Sequence, residues 1–122
     1  MLSALAIGVG GCGNPIRDKL EGRWLGDRVE NFDQADVAAA TGWAKGTSME
    51  FAGSTITVAI PAEEPRSGTY EVDKVGEHQR DVKLAIHRKD GTVDHAHFKL
   101  DGNHSIRWML GDGRAVVMRR ED

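Results

Sequence analysis

A chain of 122 residues is long enough for one domain and short for two. With 39% hydrophobic and 29% charged residues it has the balance of an ordinary globular fold, and its formal charge of −3 does not supply the basic surface that nucleic-acid binding needs. No apolar run approaches the ~18–20 residues of a transmembrane helix, and 15 glycines against 3 prolines suit a fold with many turns.

The first predicted element is a processing segment. Residues Leu2 to Gly11 carry no charge and read as a short apolar stretch ending in small residues, the pattern of a secretory signal over 1–11. The residues Val9-Gly10-Gly11-Cys12 resemble the bacterial lipobox, in which an apolar residue and two small ones precede an acylated cysteine. The resemblance implies cleavage between Gly11 and Cys12 and a lipid anchor on Cys12, palmitate-type chains included. No Lys or Arg precedes the apolar stretch, a departure from that pattern. Residues 12–18 then read as the acylated cysteine and a tether, because Gly13-Asn14-Pro15 is small and polar. Cys12 is the single cysteine, so no intramolecular disulfide can form. Several acyl chains on one residue, at ~0.8 kcal/mol per buried methylene, make a durable anchor. In such lipoproteins Asp after the cysteine marks inner-membrane retention. Gly13 stands there, so the resemblance implies the outer membrane.

From Leu20 onward the hydrophobic period is two, not 3.6. The first strand is predicted over 21–29. A helix of about two turns follows over 33–42, with Asp33 as N-cap, an alanine-rich interior and Gly42 as its stop. Seven more strands are expected. Met49 and Phe51 face inward from 47–51, Ile56, Val58 and Ile60 from 54–60, and Tyr70 and Val72 from 68–72. Val82, Leu84 and Ile86 do so from 81–87, and Ala96, Phe98 and Leu100 from 94–100. Ile106, Trp108 and Leu110 belong to 105–110, and Val116 and Met118 to 114–120. The connectors are short and glycine-bearing: Ala52-Gly53, Lys89-Asp90-Gly91, Asp101-Gly102-Asn103 and Gly111-Asp112-Gly113. A three-residue Lys89-Asp90-Gly91 loop pairs Arg88 with Thr92, Leu84 with Ala96 and Val82 with Phe98. A two-residue loop would oppose Leu84 to His97, mixing faces, so the longer loop is expected.

Eight short antiparallel strands in up-and-down order close into an all-β barrel, which removes exposed edges. Within it, Leu20-Glu21-Gly22-Arg23-Trp24 resembles the Gly-x-Trp signature of the lipocalin and calycin group. That resemblance covers 19–122 as one barrel domain and looks most like small lipocalin-like domains of bacterial lipoproteins. It implies that Trp24 sits at the closed end, that a basic residue of the last strand, Arg119 or Arg120, packs over its indole, and that the helix forms a lid. Arg119 is taken as that residue.

No set of residues announces catalysis. There is no Gly-x-Ser-x-Gly, no paired-cysteine metal motif and no phosphate loop, so no enzyme and no cofactor are expected. His87, His95 and His97 share the outer face of two neighbouring strands, a weak alternative metal patch beside the plainer reading of solvated side chains near Lys83 and Arg88. Two functions remain. One is an envelope lipoprotein whose barrel binds a small apolar ligand, with Met49, Phe51, Tyr70, Leu84, Phe98 and Trp108 as lining. The other is a structural or interaction module with a filled barrel, because eight strands leave room for side chains or for one small ligand. A ligand site is expected under the helix, with Gly42 and Gly46 as hinges. The expected partners are a membrane through Cys12 and an apolar small molecule, with the protein itself a monomer.

Overall fold

The computed structural model describes residues 15–121. The lipobox, Cys12 and the signal segment lie outside the described residues. The chain opens with helix α1 (Pro15–Leu20). Proline suits a helix's first turn, where its missing N–H is no loss, and Ile16 and Leu20, four apart on one face, are both buried. The tether expected over 12–18 therefore does not extend into α1: from Pro15 on the chain belongs to the folded body. Strand β1 (Gly22–Glu30) and helix α2 (Val37–Lys45) come next, then β2 (Ser48–Ala52), β3 (Thr55–Ala59) and β4 (Arg66–Val75). A 3₁₀ turn at Glu77–Gln79 leads to β5 (Asp81–Arg88), β6 (Val93–Leu100), β7 (Ser105–Gly111) and β8 (Arg114–Arg120).

Each strand pairs antiparallel with the next, and β8 returns to β1, so the sheet is a closed eight-stranded up-and-down barrel. The β5–β6 hairpin has the expected register: Leu84 opposes Ala96 and Val82 opposes Phe98. Arg88 N–H donates to Thr92 O at 2.9 Å, and Gly91 sits at φ +91°, where a side chain would be strained. The hydrophobic pattern and the glycine thus specify one loop length together.

The lower half of the barrel is solid. Trp24, Phe51, Tyr70, Leu84, Phe98, Ile106 and Met118 are all fully buried. Phe51 meets Tyr70 and Phe98 edge-to-face, with centroids 5.4 and 6.0 Å apart, the arrangement that ring quadrupoles favour. On β8, Val116 and Met118 face inward as expected, opposite Trp108 and Ile106. Ala115 and Val117 are buried on the outer face as well. Val117 lies in the sheet between Arg28 and Arg107. Arg107 is drawn along that face by Glu30 (2.7 Å) and Asp101 (2.6 Å), and its aliphatic stem is placed to shield apolar neighbours.

Helix α2 departs from its expected bounds. Asp33 is not the N-cap. The chain turns through 34–36 and the helix begins at Val37, with no side-chain cap at Asp36. Gly42 lies inside the helix, and Gly46 ends it. The shift has a packing cause: extending to Lys45 buries Ala44 completely and brings its carbonyl against β1. A Cβ on Gly26 would stand 1.8 Å from Ala44 O. Gly26 N–H also donates to Thr47 O at 3.0 Å.

Candidate functional site

The two ends of the barrel differ in chemistry. At the closed end, Trp24 Nε1 donates to Leu20 O at 2.9 Å, which ties the indole to the last turn of α1. Arg120, not Arg119, covers the ring, with Cζ 4.3 Å from the centroid. Arg119 points outward and is exposed. Residue 120 continues the inward series of Val116 and Met118, so the alternation of the strand selects it. Its guanidinium donates to Asn103 O at 2.9 Å, to Lys19 O at 2.6 Å and to Glu21 O. The helix carbonyls that α1 cannot satisfy internally thus receive a cation. Gly22 sits at φ +121°, and a Cβ there would lie 2.8 Å from Arg120 Nη1. The spacing Gly-x-Trp has a physical reason here: the glycine leaves room for the arginine that closes over the tryptophan.

The open end holds a cavity of about 350 Å³. Its walls include Trp43, Met49, Ile56, Ile86, Phe98 and Trp108. Trp43, on the last turn of α2, stacks on Trp108 of β7 with centroids 6.0 Å apart and an angle of 27° between planes. Small residues make the space: Gly68 on β4 and Ala96 on β6 occupy inward positions where neighbouring strands place larger side chains. Of the six residues expected to line a site, Met49, Phe98 and Trp108 do so. Phe51, Tyr70 and Leu84 do not line this cavity; they belong to the packed core.

A charged collar surrounds the mouth. Arg88 and Asp94 continue the inward series of β5 and β6 past Ile86 and Ala96, and they bind each other. Arg66, at the inward position beside Val58, is held by Glu63 at 3.2 Å. Sequence reading missed this collar, although the period of two already points these charges at the lumen.

Tyr70 stands between the two regions. Its ring carries the Arg17 guanidinium at 5.1 Å, and Arg17 donates to Tyr70 O at 3.1 Å. Burial pushes its phenol above the usual value, partly offset by Arg17. Tyr70 Oη is the buried polar side-chain atom without a hydrogen-bond partner among the described residues. Tyr70 does not line the cavity, so this hydroxyl is no polar handle there.

The outer-face histidines are dispersed. His87 faces Glu71 at 3.7 Å, while His97 binds Asp81. Among the described residues no three His, Cys, Asp or Glu side chains gather closely enough to hold a metal ion, and His87, His95 and His97 form no such group. No helix among the described residues is long and apolar enough to cross a membrane.

No family model, curated protein or solved structure matches this chain. The functional reading rests on the site itself.

Proposed function

We propose that this protein is a lipocalin-like lipoprotein of the bacterial envelope, held by lipid on Cys12, whose barrel binds one small apolar ligand. The observation that carries the ligand is the open-end cavity. Its volume of about 350 Å³ falls at the small end of the range for ligand sites, roughly 300–1,000 Å³. Its floor is aromatic and aliphatic, and its rim is charged, the polarity expected for a site that buries an apolar body. The lipocalin-like reading is supported by the Trp24–Arg120 stack over a plugged end. The anchor rests on the resemblance of Val9 to Cys12 to a lipobox.

Titration with cis-parinaric acid, a fluorescent single-chain polyene, tests the ligand. Trp24→Phe removes the deep indole, leaving Trp43 and Trp108 as reporters. Saturable quenching at micromolar probe is expected. Ala96→Leu should fill the cavity and abolish that signal while the far-UV circular dichroism is kept. No saturable change in the unmodified chain would leave the filled structural module as the better reading, in keeping with the solid lower half of the barrel.

A further inference from the structure

The barrel wall has three places where neighbouring strands stop pairing before one of them ends. Between β1 and β2 the ladder runs only from Gly22 to Leu25 on β1, and α2 covers the remainder through Gly26 and Ala44. Between β3 and β4 it leaves the end of β4 after Thr69, where Tyr70 N–H bonds Ser54 O and Arg17 of α1 bonds Tyr70 O. Between β6 and β7 the ladder covers His97 to Leu100 against Met109 to Ile106 and then stops. Val93 to Ala96 have no ladder partner on that side, and neither described helix pairs with or bonds to them.

The cause lies in β7. Its pairing with β8 shifts register between Met109 and Gly111, a bulge at Leu110. A bulge bends its strand and sharpens its twist. Gly111, Asp112 and Gly113 then all take positive φ, which turns the β7–β8 hairpin. Strand β7 leaves β6 at that point. The backbone phase fixes which groups are exposed. Arg88 N–H bonds Thr92 O on one side of β6, and Asp101 N–H bonds Ser105 O on the other. Alternation therefore aims the N–H groups of Val93 and His95 into the gap.

The unpaired stretch of β6 lies between two spaces. His95 and Ala96 line the lumen cavity, and both also line an open groove on the outer face with Lys83, His97, Met109 and Leu110. The mouth at the open end is crossed by the Trp43–Trp108 stack and by the Arg88–Asp94 pair. Helix α2 is packed at its C-terminal end, beside the expected hinge at Gly46. Its last turn is wedged between Gly26 and the β3–β4 loop, and a Cβ on Gly46 would lie 2.7 Å from Pro61 Cγ.

We propose that the gap between β6 and β7 is a lateral portal, through which a slender single-chain apolar molecule passes into the lumen. This rests on the ligand-binding reading above. The test is a reversible staple across the inner edge of the gap, Ala96→Cys with Leu110→Cys in the full chain carrying Cys12→Ser. Uptake of cis-parinaric acid is followed by stopped flow in the oxidised and reduced forms of the same variant. Uptake and release about ten-fold slower when oxidised, restored by reductant, is the expected result. Equal rates in both forms would overturn the portal and leave binding through the open mouth. No saturable binding by the reduced variant and by the unmodified chain would overturn the portal together with the ligand reading. Amide exchange in the unmodified chain gives a readout that needs no staple: Val93 and His95 should exchange much faster than His97 and Lys99, whose groups are in the ladder. Equal protection at all four would mean a closed wall and no portal.

Discussion

At the scale of single residues, stability is concentrated at the closed end. Trp24 is wholly buried and tied to α1, so Trp24→Ala should cost ~3–5 kcal/mol. Arg120→Ala removes the cation over the indole and three bonds to carbonyls, a loss of about 1–3 kcal/mol. Arg119→Ala, on an exposed side chain, should stay within about 0.5 kcal/mol of wild type. Urea denaturation of the three variants gives the order, and an Arg119 effect equal to that of Arg120 would contradict the geometry. Asp81 supplies a pH dependence. The hydrogen bond from His97 holds its carboxyl below the usual carboxylate range. A carboxyl whose value falls on folding adds stability above its unfolded value of about 3.9 and loses it as pH drops through the folded one. Urea midpoints of wild type and Asp81→Asn should therefore converge as the pH falls below about 4. Curves that stay parallel would mean that the pair contributes nothing.

At the scale of elements, α2 is the informative one. Gly42 lies exposed within the helix, and nothing stands within 4 Å of a Cβ placed there. Gly42→Ala should raise stability by about 0.5–1 kcal/mol, because alanine restricts the unfolded chain and suits the helix. Gly26→Ala should act in the opposite direction, since its methyl would meet the Ala44 carbonyl. Thermal melts of the two single variants separate helix propensity from helix docking. A gain from both would show that α2 is not wedged against β1. The expectation of Gly42 as a stop was a reading of local chemistry, since glycine after an alanine-rich run is a common helix end. Tertiary contact overrode it: three more residues of helix bury Ala44 and bring Trp43 onto Trp108.

At the scale of the whole molecule, the barrel is solid below and hollow above, and the anchor proposed at Cys12 can be tested directly. Cys12→Ala should release it from the membrane fraction and leave the precursor uncleaved, as fractionation and intact-mass measurement would read. A wild-type protein found unanchored with residues 1–11 still attached would sink the lipoprotein reading. The sequence by itself determined the strands, their inward faces and the β5–β6 register. Those features rest on a period of two and on glycines that alone tolerate positive φ, both local properties of the chain. The same alternation already pointed Arg120 over Trp24 and turned Arg88 and Asp94 toward the lumen, although a charge in an apolar series is easily read as the end of a strand. The tertiary structure alone decided the rest. That α1 folds back as a plug depends on carbonyls meeting Arg120, about a hundred residues away in sequence. The depth of the cavity depends on Gly68 and Ala96, whose smallness matters only once their neighbours surround them. The open seam between β6 and β7 depends on a bulge at Leu110, and a shift in pairing exists only between strands that have already met.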